Sequence, residues 1–188
     1  MISYFNIMRT IDEQGYHFEE WFTPDEIAKD VKQVAKKISK DYQGKEPLFV
    51  VVLNGAFVFA SDLLRALDNV RCEVTFIRVS SYWGMSSTGK LEFIVPLQQV
   101  VENRDVVIVE DIVDTGLTIH QLKEHMRGLG ASSVRVASML FKPTKLEYAD
   151  AKPDYIGHEI SEEFVIGYGL DFDGFVRNLD AIYKVTEH

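Results

Sequence analysis

The first regular spacing of apolar residues along the chain predicts an amphipathic helix. Apolar residues recur at intervals of three to four residues, which places them on one helical face: Ile27, Val31, Val34 and Ile38. The Thr-Pro-Asp-Glu sequence at 23–26 is typical of a helix start, because Thr and Glu can cap free N–H groups and Pro suits the first turn. We therefore expect a helix that runs to about Lys40.

Later segments alternate between short apolar runs, typical of strands, and helical spacing. They predict strands at 48–53, 73–79, 106–109 and 134–141 and helices at 57–67 and 119–129. This alternation implies right-handed crossovers and a central, mainly parallel sheet flanked by helices, the α/β class. Ligands bind such sheets beyond the carboxyl ends of the strands. The short strand-like pieces at 154–157 and 164–167 are expected to form a flap near that site rather than more parallel sheet.

Composition agrees with one α/β core. A chain of 188 residues with 46% hydrophobic residues suffices for it, and no apolar run approaches the roughly 20 residues of a membrane span. Met1 to Asp12 lack the basic-then-apolar order of a secretory signal. Cys72 is the single cysteine, so no disulfide can form within the chain. These features predict a cytoplasmic protein.

The net charge of −9 argues against nucleic acid as a partner, because such binding depends on broad basic surfaces. A small phosphorylated ligand remains compatible with this charge. Its recognition needs local N–H groups and a few cations rather than a basic face.

The most informative stretch covers residues 106–118. Four β-branched residues predict a strand covered on both faces, and Glu110, Asp111 and Asp114 follow in an expected turn. The Thr-Gly-Leu-Thr sequence at 115–118 then opens a helix, where free N–H groups and the helix dipole favour a phosphate. Carboxylates beside a phosphate would repel it, so we expect them to hold sugar hydroxyls, a metal ion or a proton. A ribose 5-phosphate has those needs.

The Glu-Asp-Ile-Val-Asp-Thr-Gly-Leu-Thr sequence at 110–118 resembles the phosphoribosyl-pyrophosphate motif of the type I phosphoribosyltransferases. More narrowly, the chain is similar to the hypoxanthine–guanine members of that family, over roughly residues 48–179. Three further segments carry this resemblance in the same order: 53–56, 80–82 and 164–179.

The resemblance implies the type I phosphoribosyltransferase fold, as a single domain over residues 1–188. Its core would cover about 23–150, and a small hood would come from about 1–22 and 151–188. Similar enzymes form dimers or tetramers, so a homodimer or homotetramer is expected.

The resemblance also implies a reaction. The 5-phosphoribosyl group of 5-phosphoribosyl 1-pyrophosphate would pass to hypoxanthine, and to guanine, giving a nucleoside 5′-monophosphate and pyrophosphate with Mg²⁺ as cofactor. One alternative is a relative that prefers xanthine. Another is a non-catalytic regulator of the same fold that senses nucleotides, which should show a basic patch or lack Asp114. Neither sign is present in the sequence.

Roles in ribose and phosphate binding follow by resemblance. Glu110 and Asp111 would face the ribose hydroxyls directly or through Mg²⁺, and Asp114 would be the general acid and base at purine N7. From local sequence alone, Asp114 is also a good cap for the following helix. The residues expected to bind the 5′-phosphate are Thr115, Gly116, Leu117 and Thr118.

Base and pyrophosphate recognition are likewise implied by resemblance. Lys142 would bond the purine 6-oxo group, Phe164 would stack on the ring, and the Val165 backbone would read its edge. Asp171 would be a Mg²⁺ ligand and Arg177 a pyrophosphate contact. Without the resemblance, the Lys fits an exposed strand end and the Phe fits a core.

Two loops complete the expected site. Asn54 and Gly55 would bind pyrophosphate through backbone N–H groups, in a loop where similar enzymes can hold a cis non-proline peptide. Ser81 and Tyr82 would begin a lid that runs to Lys90 and excludes water. The alternative for this Ser- and Gly-containing segment is an ordinary hairpin loop.

A few positions depart from the family pattern. Some relatives have Lys where this chain has Asn54, many have Pro where it has Asp180, and an aromatic residue is common where it has His158. We expect the latter two to alter the purine pocket wall or subunit packing. His120 and His125 lie on a predicted helix and are expected at the surface or an interface.

Overall fold

The computed structural model describes residues 9–81 and 91–187. Within these ranges the chain forms a six-stranded sheet with helices on both faces and a separate four-stranded sheet. The elements in chain order are β1 (Thr10–Glu13), β2 (Tyr16–Phe22), α1 (Pro24–Asp41), β3 (Leu48–Leu53), α2 (Phe57–Ala66), β4 (Glu73–Ser81), β5 (Leu91–Val95), β6 (Asp105–Val113), α3 (Leu117–Gly128), β7 (Ser133–Phe141), η1 (Pro143–Lys145), η2 (Ala149–Ala151), β8 (Tyr155–Glu159), β9 (Val165–Ile166) and β10 (Ile182–Glu187).

The large sheet confirms the predicted α/β class. Its strand order is β5-β4-β3-β6-β7-β8, and every neighbouring pair is parallel except β4 with β5. The central strands β3 and β6 are apolar and fully buried at residues 48–51 and 106–109, because helices cover both faces. The apolar faces of α1 and α2 pack on one side and that of α3 packs on the other.

The predicted start of α1 is confirmed. The Thr23 side chain accepts a hydrogen bond from the Glu26 N–H, and the Glu26 carboxylate accepts one from the Thr23 N–H at 2.9 Å. This capping box satisfies two N–H groups that the helix leaves free, and Pro24 occupies the first turn. The helix then buries the apolar residues that its spacing identified.

The hood is the antiparallel sheet of β1, β2, β10 and β9. Its strands come from both ends of the described chain, so the N-terminal hairpin and the C-terminal segment fold together. A small core of Phe18, Ile166, Ala181 and Tyr183 holds them. The flap expected at 164–167 is confirmed, since β9 lies in this sheet.

The flap expected at 154–157 is wrong. Tyr155 to Glu159 form β8, which pairs in parallel with β7 and extends the large sheet. Tyr155 is buried in the core beside α1, and its hydroxyl donates to Asp41 at 2.8 Å. Residues 154–157 alone gave no sign of this pairing, because it depends on contacts with β7 and on the burial of Tyr155 in the core.

The turn expected at Glu110 and Asp111 is also wrong. Strand β6 continues to Val113, because Ile112 and Val113 pair with Leu140 and Phe141 of β7. The two carboxylates therefore lie on a rigid strand, not on a loop.

Among the described residues, no helix is long and apolar enough to cross a membrane.

Candidate functional site

The predicted site residues gather where parallel strands β3, β6 and β7 end. Asn54 and Gly55 follow β3, Asp114 follows β6, and Lys142 follows β7. Parallel strands present their carboxyl ends at one edge of the sheet, so residues from distant parts of the sequence meet there.

The loop after β3 makes close backbone contacts. The Leu53–Asn54 peptide bond is cis, as expected from the resemblance. A Cβ atom added at Gly55 would overlap the Asp111 carboxylate, and one added at Gly169 would overlap the Gly55 carbonyl oxygen. Gly169 is therefore required by space, whereas a side chain at position 55 would displace the Asp111 carboxylate. Gly169 is a site residue that sequence reasoning missed, and it brings the hood against this loop.

A polar cavity of about 170 Å³ lies between the ends of β3, β4 and β6. Two carboxylates of β6 and the first turn of α3 enclose it together with the Gly55 loop. Its lining residues are Val52, Leu53, Gly55, Val79, Glu110, Asp111 and Thr118. Four of the predicted site residues thus share one cavity.

One of the two carboxylates in this cavity has an oxygen without a hydrogen-bond partner. Glu110 Oε2 is buried and accepts no hydrogen bond from any described residue. Burial, and then the charge of Asp111, raise the pKa of Glu110 well above its usual value. Burial also raises the pKa of Asp111 to about 6, although its Oδ1 accepts a hydrogen bond from the Ile112 N–H at 2.7 Å. Such a pair is suited to a cation or to hydroxyl donors from a ligand.

Asp114 lies between two ammonium groups. Its Oδ2 is 3.5 Å from Lys142 Nζ and 3.7 Å from Lys145 Nζ. Lys142 is buried, with 6% of its surface exposed, so the expectation of an exposed strand-end Lys is wrong. Asp114 Oδ1 is buried and unpaired within the described part of the chain, which leaves an oxygen available for a proton.

Lys145 was missed by sequence reasoning. A short 3-10 turn, η1, follows Lys142 and brings the side chain three residues later back towards Asp114. The Pro-Thr-Lys sequence directly after a strand was the available signal, since Pro favours such a turn.

The segment 115–118 forms the start of α3 as predicted. Gly116 is the N-cap residue, with φ +86° and no side-chain cap, so the capping alternative for Asp114 is wrong. The Thr115 hydroxyl accepts only a long hydrogen bond, 3.4 Å, from the Leu117 N–H. The first turn of α3 therefore presents N–H groups beside the two Thr side chains, as an anion site requires.

The hood contributes an ion pair to the same region. Arg177 lies 2.8 Å from Asp171 Oδ1 and donates to the Gly169 carbonyl at 2.8 Å. The charge of Arg177 lowers the pKa of Asp111 and that of Asp171 raises it, although burial has the largest effect. No group of three or more metal-ligating side chains occurs among residues 9–81 and 91–187. The metal assignment to Glu110, Asp111 and Asp171 stays a prediction.

The aromatic ring expected to stack on a base is accessible. Phe164 is 48% exposed and packs edge-on against Phe172, with ring centroids 5.6 Å apart. Val165 is buried next to it in β9. The expectation of a core aromatic is therefore wrong for Phe164. The lid residues Tyr82 to Lys90 lie outside the described residues, as does the side chain of Ser81.

The departures at Asp180 and His158 have structural partners. Asp180 accepts a hydrogen bond from Arg9 at 2.9 Å, which ties the hood's C-terminal segment to its N-terminus. His158 lies 3.2 Å from Asp30 and packs on Phe22, with ring centroids 4.2 Å apart. Both residues therefore stabilise contacts around the hood, while subunit packing stays a prediction.

The raised pKa of Asp111 predicts a pH-dependent gain in stability when this residue becomes Asn. The folded state binds the Asp111 proton more tightly than the unfolded chain, so the free energy of unfolding falls as pH rises from about 4 to about 6. Asp111→Asn removes this loss and should be more stable than the parent by up to about 3 kcal/mol above pH 7, but not at pH 4.

Urea unfolding at several pH values, with a chelator present, measures this difference. Asp68→Asn is the matched control, since Asp68 is exposed. A stability difference between parent and Asp111→Asn that does not change between pH 4 and 7 contradicts the prediction.

Comparison with known proteins places the chain among transferases of phosphoribosyl groups. Residues 22–173 match the family described as phosphoribosyl transferase domain. A hypoxanthine-guanine phosphoribosyltransferase of Streptococcus thermophilus is 37% identical over 167 residues, covering 88% of this chain and 92% of the relative. One from Staphylococcus aureus is 38% identical over 165 residues, covering 87% and 91%.

Solved structures agree with these relatives. The crystal structure of a hypoxanthine phosphoribosyltransferase from Staphylococcus aureus has a TM-score of 0.84 at 37% identity, covering 89% of this chain and 91% of that one. A hypoxanthine phosphoribosyl transferase of Trypanosoma cruzi has a TM-score of 0.85 at 34% identity, covering 94% and 95%.

Proposed function

This chain belongs to the phosphoribosyl transferase family, and from that premise we propose that it is a purine-salvage enzyme. It transfers the 5-phosphoribosyl group of 5-phosphoribosyl 1-pyrophosphate to hypoxanthine and guanine, and releases pyrophosphate. The observation that carries the proposal is the position of Asp114. Its Oδ1 is unpaired within the described residues, and its Oδ2 lies 3.5 Å from Nζ of buried Lys142. The residues that follow Asp114 in the chain form the expected anion site of α3.

Phosphate and ribose recognition are assigned to the cavity and the start of α3. The 5′-phosphate accepts hydrogen bonds from the N–H groups and hydroxyls of residues 115–118. Glu110 and Asp111 accept hydrogen bonds from the ribose 2′- and 3′-hydroxyls or hold a cation there. Asn54 and Gly55 donate backbone N–H groups to the pyrophosphate.

Mg²⁺ fits the residues present. The orphaned Glu110 Oε2 and the partly buried Asp111 offer hard oxygen ligands, and Asp171 offers another carboxylate in the hood. Since Mg²⁺ usually takes one or two carboxylates plus substrate oxygens, a cluster of three protein ligands is not needed. When bound, Mg²⁺ supplies charge neutralisation for the pyrophosphate. Arg177 adds a permanent cation able to make paired bonds to phosphate oxygens.

Base selection is assigned to Lys142, Phe164 and Val165. The Lys142 ammonium can only donate hydrogen bonds, so it donates to a purine 6-oxo group but would face another donor in a 6-amino purine. The accessible Phe164 ring stacks on the base, and the Val165 backbone bonds its edge. Asp114 takes the N7 proton as the new bond forms at C1 of the ribose, while Lys142 and Lys145 stabilise its carboxylate.

The finer architecture is proposed on the same premise. We assign one domain to residues 1–188, with a core that starts near residue 23 and a hood built from both ends. A homodimer or homotetramer in the cytoplasm is the expected form, and light scattering after size exclusion measures its mass. Among the similar proteins of known structure, the Trypanosoma cruzi protein is one whose oligomeric state was studied.

Parallel assays of pyrophosphate release test the function directly. Hypoxanthine, guanine, xanthine and adenine are supplied separately with 5-phosphoribosyl 1-pyrophosphate and Mg²⁺. Hypoxanthine and guanine should turn over, with adenine at least about a hundredfold slower, because a donor would meet the Lys142 donor. A chelator should abolish turnover.

Faster turnover with xanthine than with hypoxanthine or guanine would support the xanthine-preferring alternative. Nucleotide binding with no turnover of any base would support the regulator instead, and would overturn the proposed enzyme.

A further inference from the structure

A segment behind the phosphate site packs directly on its loop. We call residues 146–151 the buttress. A Cβ atom added at Gly116 would lie 2.8 Å from Ala151 Cβ and 2.9 Å from Leu146 Cδ1, so the two backbones approach closely at that point. The Glu147 N–H donates to the Thr115 carbonyl at 2.9 Å. The position of residues 115–118, the loop assigned to the 5′-phosphate, therefore depends on where the buttress lies.

A buried cation on α3 holds the buttress. Lys123 has 6% of its surface exposed, and its ammonium donates to the Asp150 carbonyl oxygen at 2.7 Å. Asp154 Oδ2 lies 3.9 Å away. Burial lowers the pKa of Lys123, and the charges of Asp154 and Asp150 oppose this effect. Burying an ammonium costs free energy unless it is well hydrogen-bonded. The direct partner of Lys123 is a backbone carbonyl, which indicates that this contact fixes the position of the buttress backbone.

The Asp150 side chain binds the same helix again. Its Oδ1 lies 2.7 Å from His120 Nδ1, and its Oδ2 lies 3.6 Å from Arg127. The His120 ring stacks on Tyr148 of the buttress, with ring centroids 4.8 Å apart. The surface role expected for His120 is thus incomplete, since this ring also contacts the buttress. Three side chains of α3 fix one residue of the buttress.

We propose that Lys123 is a positioning residue for the 5′-phosphate of the substrate. Through the Asp150 carbonyl it holds the buttress against Gly116 and keeps the N–H groups of residues 115–118 aimed at the phosphate. The inference rests on the proposed function. Because Lys123 contacts Asp150 and Asp154, its effect falls on phosphate binding and leaves the base site unchanged.

The test compares Lys123→Met with Lys152→Met. Met keeps most of the side-chain volume but cannot donate, so the Asp150 carbonyl loses its partner. Lys152 is exposed, carries the same substitution and lies two residues after Asp150, which makes it a matched control. We expect KM for 5-phosphoribosyl 1-pyrophosphate to rise about tenfold in Lys123→Met. KM for hypoxanthine and kcat at saturation should stay within about twofold. Lys152→Met should match the parent in all three.

A second readout compares binding of inosine 5′-monophosphate (IMP), the product with hypoxanthine, with binding of inosine. Lys123→Met should bind IMP about tenfold more weakly and inosine equally well, because inosine lacks the 5′-phosphate. Lys123→Arg, which keeps a charged donor, should restore most of the IMP affinity. If Lys123→Met does not fold, Lys123→Gln should show the same selective loss, since its shorter side chain does not reach the carbonyl.

Equal losses for IMP and inosine, or unchanged affinity for both, would overturn the positioning role. If the parent protein transfers the 5-phosphoribosyl group to no 6-oxopurine, the proposed function is contradicted instead. If the parent is active and Lys123→Met has an unchanged KM for 5-phosphoribosyl 1-pyrophosphate, only this inference is contradicted.

Discussion

Asp114→Asn should lower kcat with hypoxanthine by about 10²- to 10⁴-fold, the range that a positioned general acid or base contributes. Asn keeps the size of the side chain but cannot take the N7 proton. The unpaired Asp114 Oδ1 is the oxygen in position to accept it, and Lys142 Nζ at 3.5 Å holds the other oxygen. Binding of 5-phosphoribosyl 1-pyrophosphate should change by no more than about threefold, since the loop at 115–118 is untouched.

Steady-state kinetics and equilibrium binding of the phosphorylated substrate measure the two effects separately. Asp68→Asn, at an exposed position after α2, controls for the loss of one negative charge and should leave both unchanged. Turnover of Asp114→Asn within about threefold of the parent would remove Asp114 as the acid and base. Loss of binding equal to the loss of turnover would instead assign it to substrate positioning.

The sequence predicted the parts of the fold that depend on local spacing. The strand at 48–53 was predicted with its observed bounds, and the start of α1 was predicted because its capping residues are adjacent to it in the chain. β8 was misplaced because its parallel partner, β7, is chosen by burial in the core rather than by any pattern within residues 154–157. The length of β6 was underestimated because Glu110 and Asp111 interrupt the apolar run, although the strand continues.

The site was predictable where one motif carries several roles. Residues 110–118 lie together because they are consecutive, and their order resembles that of a known family. Lys145 and Gly169 were not found, since their roles follow from a 3-10 turn and from a contact between hood and core. The burial of Lys142 was also not visible, because it depends on elements that are distant in the sequence.

Gly55→Ala should lower kcat/KM by about a hundredfold, the scale expected when a reacting group is displaced by about an ångström. Gly55 has no positive φ, so its backbone conformation accepts Ala. The added Cβ instead overlaps the Asp111 carboxylate, which must move out of the cavity that it shares with Glu110. Because Asp111 is a short side chain that can rotate away, the Tm should change by less than about 5 °C.

Gly128→Ala is the matched control, since a Cβ atom there meets no atom within 4 Å. It should retain the activity of the parent. The cause is isolated by a double-mutant cycle with Asp111→Ala. If displacement of Asp111 is what costs activity, Gly55→Ala should add little once Asp111 is already Ala, so the two losses are not additive. Fully additive losses would assign the effect of Gly55 to its backbone N–H and the pyrophosphate rather than to the carboxylate. Retained activity in Gly55→Ala would show that the carboxylate can leave this position without cost to the reaction.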